Sequence, residues 1–388
     1  MESPMRFEFS TAERIIFGPG TINELVDVAS SMGRRCLVIT GKKTQRWLHL
    51  FDKLKSRNIP TTIYSVPKEP TTHTVIQGTS LAHEHGCDCV IAIGGGSVID
   101  TGKAIAALIT NKGDLYDYLE VVGKAMPLTK PPVPYIAVPT TAGTGSEVTK
   151  NAVIISEEHR AKVSMRSTLL LPRLVVVDPD LTHSLPPGIT ASTGLDALTQ
   201  LLESYVSSGA NPMTDSICRE GLFRAARSLR IAYEEGSNAA AREDMSLASL
   251  FSGIALANAK LGAVHGFAAA AGGQCQVPHG LICASLLPHV VEMNVKALER
   301  RTPESPALIR FDEVAKIITG RATARAQDAI AWIQGLCSSM NVPSLSSIGI
   351  GSESFSDIAA KARRASSMKG NPIVLTDEEL AEILERAK

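Results

Sequence analysis

Short apolar runs that alternate with helical patterns most constrain the fold of the first half of this chain. The runs lie at 35–41, 61–66, 87–97, 133–140 and 173–179. Amphipathic patterns typical of helices lie between them, for example at 21–33 and 74–86. Continuous apolar strands separated by helices indicate a parallel sheet that is covered on both faces. We therefore predict an α/β domain.

The pattern changes near Pro186 and Pro187. From about residue 188 onward almost every apolar pattern has helical spacing, and glycines and prolines mark the turns. A chain of 388 residues is also too long for one hydrophobic core. We predict an α/β domain over 1–185 and an all-helical domain over 186–388, with a ligand in the cleft between them.

Composition disfavours several classes of partner. Lysine plus arginine equals aspartate plus glutamate, at 39 each, so neither nucleic acid nor an anionic membrane is favoured. No apolar run approaches the roughly 20 residues of a membrane-spanning helix, and the start MESPMRFEFS is unlike a signal peptide. Seven scattered cysteines without CxxC spacing indicate a reducing cytosol. We expect a cytoplasmic protein that acts on a small molecule.

A glycine-rich turn follows the third apolar run, where Gly94, Gly95, Gly96 and Ser97 precede a helical pattern. Glycines let a phosphate approach the backbone, and the N-terminus of a helix favours an anion. The spacing is neither GxGxxG nor that of a Walker loop. A strand–helix turn that binds no ligand also uses glycine, so the alternative stays open.

A second loop of small residues follows the next apolar run. Its hydroxyl groups belong to Thr140, Thr141, Thr144, Ser146 and Thr149. Because neighbouring parallel strands end at the same edge of a sheet, two such loops predict a nucleotide-binding crevice.

With these motifs in place, the whole chain resembles the iron-containing (group III) alcohol dehydrogenases. The resemblance is carried, in order, by RIIFGPGTINEL, GGGSVIDTGKAIA, PTTAGTGSEVT, DPDLT, TGLDALTQLLESYVS and HGFAAAAGGQCQVPHG. It implies a Rossmann-like parallel-sheet domain followed by a helical domain, the dehydroquinate synthase-like architecture. It also implies NAD(P)-linked interconversion of alcohols and carbonyl compounds, with a divalent metal, Fe or Zn, in the helical domain.

The resemblance places the cofactor, NAD or NADP, on the two loops. The implied cofactor-binding residues are Gly94, Gly95, Gly96, Ser97, Asp100, Thr140, Thr141, Thr144, Thr149 and Lys162. Lys162 lies in the strand-like segment RAKVSM, and a solvated surface lysine is the alternative interpretation.

Gly41 also belongs to the implied cofactor site, since members that prefer NAD often have an aspartate there that accepts from the ribose hydroxyls. Without that carboxylate, and with Lys42 and Lys43 next to it, a 2′-phosphate is not repelled. We predict that NADP(H) is accepted at least comparably with NAD(H). The alternative is that both lysines are solvated and contribute little.

The implied metal site lacks one usual ligand. Asp196, His265 and His279 stand at three positions of the family's site of one aspartate and three histidines. The fourth position, one helical turn after Asp196, is Gln200, whose neutral amide oxygen is a weaker donor than imidazole. Ala269 stands where members often have a histidine close to the nicotinamide.

The three remaining ligands still form a two-histidine, one-carboxylate set that suits Lewis-acid chemistry, and we assign catalysis to His265 and His279. Three roles are open to Gln200: weak binding to the metal, binding through water, or a hydrogen bond to the substrate. The alternative is that the metal is gone and Asp196 is a satisfied polar residue. Cys275, between the two histidines, is a soft ligand, an oxidation target or inert filler.

We expect an NAD(P)-dependent oxidoreductase acting on CH–OH groups, with hydride transfer in the interdomain cleft. The alternatives are a metal-independent reductase like the maleylacetate reductases, a lyase like dehydroquinate synthase, and a non-catalytic nucleotide-binding protein. By analogy with relatives we expect a homo-oligomer, a dimer. The sequence names neither the physiological substrate nor a general acid or base.

Overall fold

The computed structural model describes residues 5–272 and 277–388 of the chain. It divides into two compact units. The α/β unit comprises Thr11–Thr141 and Gly145–His183, and the helical unit comprises the segment before Thr11, Ala142–Thr144 and Ser184–Lys388.

A six-stranded parallel sheet forms the centre of the α/β unit. The strands of the described residues are β1 (Arg14–Phe17), β2 (Cys36–Thr40), β3 (Thr61–Ser65), β4 (Cys89–Gly94), β5 (Tyr135–Pro139), β6 (Asn151–Ser156), β7 (Ala161–Arg166) and β8 (Leu174–Val177). The order in the sheet is β1-β8-β5-β4-β2-β3, and β6 pairs with β7 in a separate antiparallel hairpin. The five apolar runs are β2, β3, β4, β5 and β8, so their prediction as strands is confirmed.

The sheet is covered on both faces, which explains why its inner strands are apolar throughout. Strands β2, β4, β5 and β8 are buried at every residue. The helices of this unit are α1 (Leu25–Ala29), α2 (Leu48–Ser56), α3 (Thr72–Glu84), α4 (Gly96–Thr110) and α5 (Leu115–Tyr118). Val38, Ile91 and Ile136 form one core cluster with α1 and α2, while Ala92 and Tyr135 meet α4 at Gly102 on the opposite face.

Helices make up the second unit from Pro187 onward. They are α6 (Pro187–Val206), α7 (Pro212–Glu234), α8 (Ala239–Asn258), α9 (Ala263–Gly272), α10 (His279–Arg301), α11 (Pro306–Thr319), α12 (Ala326–Ser339), α13 (Phe355–Arg364) and α14 (Asp377–Arg386). The fold class predicted from the sequence, a parallel-sheet domain followed by a helical domain, is confirmed. Pro187 stands in the first turn of α6, where a missing N–H costs nothing.

Helix α6 is the central helix of this unit. Every residue from Gly194 to Val206 is buried, and α7, α8 and α10 pack around it. A helix that is buried on all sides normally carries apolar residues all round. The acids Asp196 and Glu203 and the amide Gln200 are therefore exceptions that need partners.

Helix α10 is long and apolar enough to cross a membrane by length and composition, which the sequence reading had not identified. Helices α8 and α9 meet the same length and hydropathy criterion only when they are taken together as one segment, and they are bent by 93° relative to each other. Since 78% of the apolar stretch of α10 is buried inside the described protein, α10 is accounted for as a core helix of the helical unit.

The contact between α4 and the sheet gives a stability prediction. A Cβ at Gly102 would lie 2.6 Å from Cε2 of Tyr135 and 2.8 Å from Cβ of Ala92. Because both neighbours are packed in the core, we expect Gly102→Ala to lower the free energy of unfolding by about 1–3 kcal/mol. Denaturant unfolding followed by circular dichroism measures the change.

Gly335 provides the matched control, because it is an exposed glycine inside helix α12 with no atom within 4 Å of a built Cβ. Gly335→Ala is expected to raise the stability by about 0.5–1 kcal/mol, since alanine restricts the unfolded chain. Equal effects of the two substitutions would contradict close packing at Gly102.

Candidate active site

Four potential metal ligands come together in the helical unit. They are Asp196 of α6, His265 of α9, and His279 and Cys283 of α10, with all donor atoms within 4.8 Å of one another. Asp196 and His265 are almost fully buried, whereas the His279 side chain is 33% exposed. The structure thus brings together three of the four residues predicted for the metal site, Asp196, His265 and His279, and adds Cys283 in place of Gln200.

One oxygen of Asp196 is the focus of the cluster. Oδ1 lies 3.4 Å from Nε2 of His265 and 3.9 Å from Nε2 of His279. Sγ of Cys283 lies 3.6 Å from Nε2 of His279 and 4.0 Å from Nε2 of His265. Within the described chain, Oδ1 is buried and has no hydrogen-bond partner. A buried carboxylate oxygen without a partner is costly unless a cation compensates it.

Glu203 fixes the orientation of His265. Its Oε2 lies 2.7 Å from Nδ1 of His265, and its Oε1 accepts a hydrogen bond from the backbone N–H of Val264 at 2.6 Å. With Nδ1 held by a carboxylate, Nε2 is the nitrogen that faces the cluster. This is the arrangement by which proteins orient an imidazole toward a metal.

Gln200 supports Asp196 from the other side. Its Nε2 donates to Oδ2 of Asp196 at 3.2 Å, and its Oε1 accepts from the hydroxyl of Ser252 at 3.0 Å. The amide oxygen, which is the atom that would bind a metal, is therefore turned toward Ser252. In this arrangement Gln200 holds the carboxylate and does not face the cluster as a donor.

The titration behaviour of the cluster follows from its mixture of acids and imidazoles. Burial opposes the charged form of His265, but Cys283, Asp196 and Glu203 outweigh it, so the pKa of His265 is raised well above its ordinary value. Burial likewise opposes the charged His279, yet Cys283 and Asp196 raise its pKa. The pKa of Asp196 is lowered, because the two imidazoles outweigh its burial. The site thus favours positive charge at its centre.

Two other positions bear on this site. Ala269 lies on the exposed side of α9, one turn after His265, so its methyl group offers no proton carrier there. Cys275 lies outside the described residues, and its predicted roles stay untested.

Cys283 is the residue that sequence reasoning missed. It stands four residues after His279, and α10 begins at His279, so both side chains lie on one face of the helix. The signal in the sequence is the four-residue spacing of His279 and Cys283 in HGLIC. This spacing places the two side chains on one face only if the helix begins at the histidine.

In the α/β unit, the glycine turn and the threonine loop meet at the carboxyl ends of β4 and β5. β4 ends at Gly94 and α4 begins at Gly96, with Gly95 as the residue that caps the helix. The N–H of Thr140 donates to the carbonyl of Gly94 at 2.9 Å. A Cβ on Gly95 would lie 3.3 Å from Oγ1 of Thr141. The two predicted loops are therefore neighbours.

Asp100 and Thr149 form hydrogen bonds within the protein. Both belong to a buried network around Lys103, whose Nζ lies within hydrogen-bond distance of Asp100 at 3.2 Å, Thr149 at 2.8 Å, Ser146 at 3.0 Å and the carbonyl of Asn151 at 2.7 Å. Asp100 also accepts from the hydroxyl of Ser146. The network ties α4 to the loop that follows β5.

The remaining predicted cofactor residues have different surroundings. Ser97 is half-buried in the first turn of α4. Thr144 belongs to the segment Ala142–Thr144 of the helical unit. Lys162, on β7, pairs with Glu69 at 2.7 Å, and Gly41 follows β2 with open space around it.

A buried acid interacts electrostatically with Lys103 and Asp100. Glu147 is 3% exposed and lies in the short helix Ser146–Val148. Burial raises its pKa to about 7, with Asp100 adding to the shift and Lys103 opposing it.

Comparison with known proteins identifies the class. The family model "Iron-containing alcohol dehydrogenase" matches residues 12–179, and the model "Fe-containing alcohol dehydrogenase family, C-terminal" matches residues 190–388. 1,3-Propanediol dehydrogenase of Klebsiella pneumoniae is 36% identical, with 98% of each chain covered. Alcohol dehydrogenase 4 of Saccharomyces cerevisiae is 33% identical, with 96% of each chain covered.

A solved structure agrees over the same extent. The crystal structure of a 1,3-propanediol oxidoreductase superimposes with a TM-score of 0.91 at 34% identity, covering 99% of this chain and 100% of that one. Fold and relatives together define an oxidoreductase that acts on alcohols. The chain belongs to the iron-containing alcohol dehydrogenase family, and one relative is named an NAD-dependent methanol dehydrogenase of Bacillus methanolicus.

The raised pKa of Glu147 predicts a pH dependence of stability. Between the ordinary pKa of 4.5 and about 7, the folded state keeps a proton that the unfolded state releases. The contribution of this group to stability therefore falls as the pH rises through that window, by on the order of 3 kcal/mol from the shift between 4.5 and about 7. We expect Glu147→Gln to gain stability relative to wild type between pH 5 and pH 8.

Urea unfolding of both proteins across that range measures the difference. Glu157→Gln is the control, since Glu157 is exposed in the turn between β6 and β7. A stability difference between Glu147→Gln and wild type that does not change with pH would contradict the burial of a neutral acid.

Proposed function

We propose that the protein is an NAD(P)-dependent alcohol dehydrogenase that interconverts a small alcohol and its aldehyde or ketone with the help of a divalent cation. The observation that carries the proposal is the buried Oδ1 of Asp196, which lies between two imidazoles without accepting a hydrogen bond. In a member of a metal-using family, such an oxygen fits a cation-binding role. The propanediol and alcohol dehydrogenases among its relatives support a small alcohol as substrate.

Asp196, His265 and His279 would hold the cation. When bound, the cation supplies Lewis-acid polarisation of the substrate oxygen, and the nicotinamide exchanges the hydride. The chain's own contribution is to hold the donors ready. Glu203 keeps Nε2 of His265 turned inward, and Gln200 keeps the carboxylate of Asp196 in place.

The dinucleotide would bind at the joined glycine and threonine loops. The pyrophosphate would lie at the start of α4, where Gly95 caps the helix and a Cβ on Gly95 would lie 3.3 Å from Oγ1 of Thr141. Asp100 and Thr149 act on the cofactor indirectly, because their polar atoms hold the loop to α4 through Lys103. Lys162 would reach the cofactor only by leaving Glu69.

Proton exchange must differ from that of members with a histidine at position 269. Ala269 carries no titratable group. His265 is buried, whereas the His279 side chain is one-third exposed, so solvent reaches the cluster beside His279. We assign the exchange to water at that edge. We also propose a cytoplasmic location, because all six described cysteines are free, and a dimer by analogy with relatives.

A metal-independent reductase is the second candidate, and one observation favours it. Gln200 occupies a position where the family has a ligand, and it is engaged in hydrogen bonds that need no metal. The experiments below distinguish the two candidates.

The metal requirement can be measured on the purified protein. We expect close to one Fe or Zn per chain and loss of NAD(P)H-dependent aldehyde reduction after chelation, with recovery when the cation is restored. Asp196→Asn is expected to weaken metal binding by about 100-fold or more, since ligand loss should exceed the ~10–100-fold effect of removing outer-shell support. Elemental analysis measures the bound metal, and the absorbance of the reduced nicotinamide at about 340 nm measures turnover.

His289→Gln is the matched control for Asp196→Asn, because His289 lies on α10 but outside the cluster. It should retain the metal. Full activity in rigorously metal-free protein would instead establish the metal-independent reductase. A protein that binds metal and dinucleotide but turns over no alcohol or aldehyde would be a non-catalytic relative.

Gly41 decides the choice between NAD(H) and NADP(H). No atom lies within 4 Å of a built Cβ, so an aspartate fits without disturbing the fold. Gly41→Asp should shift the ratio of kcat/KM toward NAD(H) by about tenfold or more, or roughly 1.4 kcal/mol, because the carboxylate repels a 2′-phosphate. The wild type is expected to accept both cofactors comparably.

Gly41→Asn separates charge from bulk, since it has the same shape without the charge. It should shift the ratio less than Gly41→Asp. Strong discrimination of the wild type against NADP(H), or an unchanged ratio in Gly41→Asp, would refute this assignment.

A further inference from the structure

We propose that Cys283 is a metal ligand, and that its thiolate completes with Asp196, His265 and His279 a four-donor site that takes Zn²⁺ in preference to Fe²⁺. The inference rests on the proposed metal-assisted function, and it identifies the donor that replaces the family's missing histidine. The site gains a soft sulfur in place of a nitrogen, which changes the metal it selects.

The distances fit one ion at the centre of the cluster. Ligand bonds of about 2.0–2.3 Å in a tetrahedral zinc site place neighbouring donor atoms roughly 3.3–3.8 Å apart. Oδ1 of Asp196 lies 3.4 Å and 3.9 Å from the two imidazole nitrogens. Sγ of Cys283 lies 3.6 Å and 4.0 Å from the same two nitrogens. These four distances differ from the tetrahedral values by at most a few tenths of an ångström, and all four donor atoms lie within 4.8 Å of one another.

The sulfur is in place because of helix geometry. His279 and Cys283 are separated by one turn at the start of α10, so both project from one face toward α6. Gln200, the residue at the family's ligand position, is already bound to Asp196 through its nitrogen and to Ser252 through its oxygen. The fourth donor has thus moved from α6 to α10.

Charge supports the same conclusion. An aspartate and a thiolate carry two negative charges, which a dication neutralises when both imidazoles are neutral. A set of one aspartate and three histidines would leave one positive charge with the same ion. Thiolate and imidazole together suit Zn²⁺, which has no geometric preference of its own and accepts a tetrahedral set of nitrogen and sulfur donors.

The other described cysteines make the distinction clear. Six free cysteines are buried, namely Cys36, Cys87, Cys89, Cys218, Cys283 and Cys337. Within the described chain, Cys283 alone belongs to a group of potential metal ligands. The competing interpretation, that Cys283 is an inert apolar filler like the others, predicts no effect of its sulfur on a bound ion.

Cobalt substitution tests the proposal without measuring activity. The full-length protein is stripped with a chelator and titrated with Co²⁺. We expect saturation at one ion per chain and a thiolate-to-cobalt charge-transfer band in the near ultraviolet. Cys283→Ser should lose the band and bind Zn²⁺ about 10–100-fold more weakly or worse, by competition with a chromophoric chelator. Cys337→Ala, a buried cysteine on α12, is the control and should keep the band.

A second variant tests the metal preference. Cys283→His restores a set of one aspartate and three histidines, so it should bind Co²⁺ without the charge-transfer band. Its preference for Zn²⁺ over Fe²⁺ in competition experiments should be smaller than that of the wild type, because the soft sulfur is lost. The wild-type spectrum needs no variant, so misfolding of one substitution does not remove the test.

The outcomes separate the two levels of the argument. One bound Co²⁺ with no charge-transfer band in wild type, or a band that persists in folded Cys283→Ser, overturns the thiolate ligand and leaves the metal-assisted function standing. A protein that binds neither Co²⁺ nor Zn²⁺ overturns both. A band that disappears only in Cys283→Ser and Cys283→His supports the proposal.

Discussion

A carboxylate in the buried stretch of helix α6 is the constraint on which the helical unit depends. Asp196 lies in the stretch of α6 that is buried at every residue, and an uncompensated charge in such a place costs several kcal/mol. One of its oxygens is held by Gln200. The other is surrounded by imidazoles without accepting a hydrogen bond. The helices that bring these imidazoles must therefore start at defined positions around α6.

Glu203 sets one of those starting positions. Its Oε1 accepts from the N–H of Val264, and Asn371 accepts from the N–H of Ala263 at 3.1 Å, so side chains satisfy the first free donors of α9. A carboxylate also suits the positive end of a helix. The same Glu203 holds Nδ1 of His265, two residues into the helix. Glu203 of α6 thus caps the N-terminus of α9 and also orients His265 of that helix.

The sequence was sufficient for the sheet because its inner strands are buried on both faces and read as continuous apolar runs. The hairpin of β6 and β7 was not predicted. Only β7, which contains Lys162, has a segment that the sequence analysis described as strand-like. In β6, buried residues alternate with half-exposed ones, so this strand lacks the continuous burial of the inner strands of the sheet. Asp100 was predicted to contact the cofactor. Its bond to Lys103 joins two residues three positions apart on α4, whereas its bond to Ser146 is a long-range contact that no local pattern encodes.

The missing ligand shows the same limit most clearly. Motif alignment directed attention to Gln200, because a ligand is expected one turn after Asp196. What the alignment lacks is the direction of the amide, which depends on Ser252 of α8, and the position of Cys283, which depends on where α10 begins. Replacing Gln200 by histidine would remove the amide that donates to Oδ2 of Asp196 and accepts from Ser252, while the hydroxyl of Ser252 would keep the carbonyl of Ser249 as an acceptor. The proposed exchange of one metal ligand therefore depends on three helices, α6, α8 and α10. The thiolate of α10 takes the place of a ligand on α6, while Gln200 of α6 holds the carboxylate of Asp196.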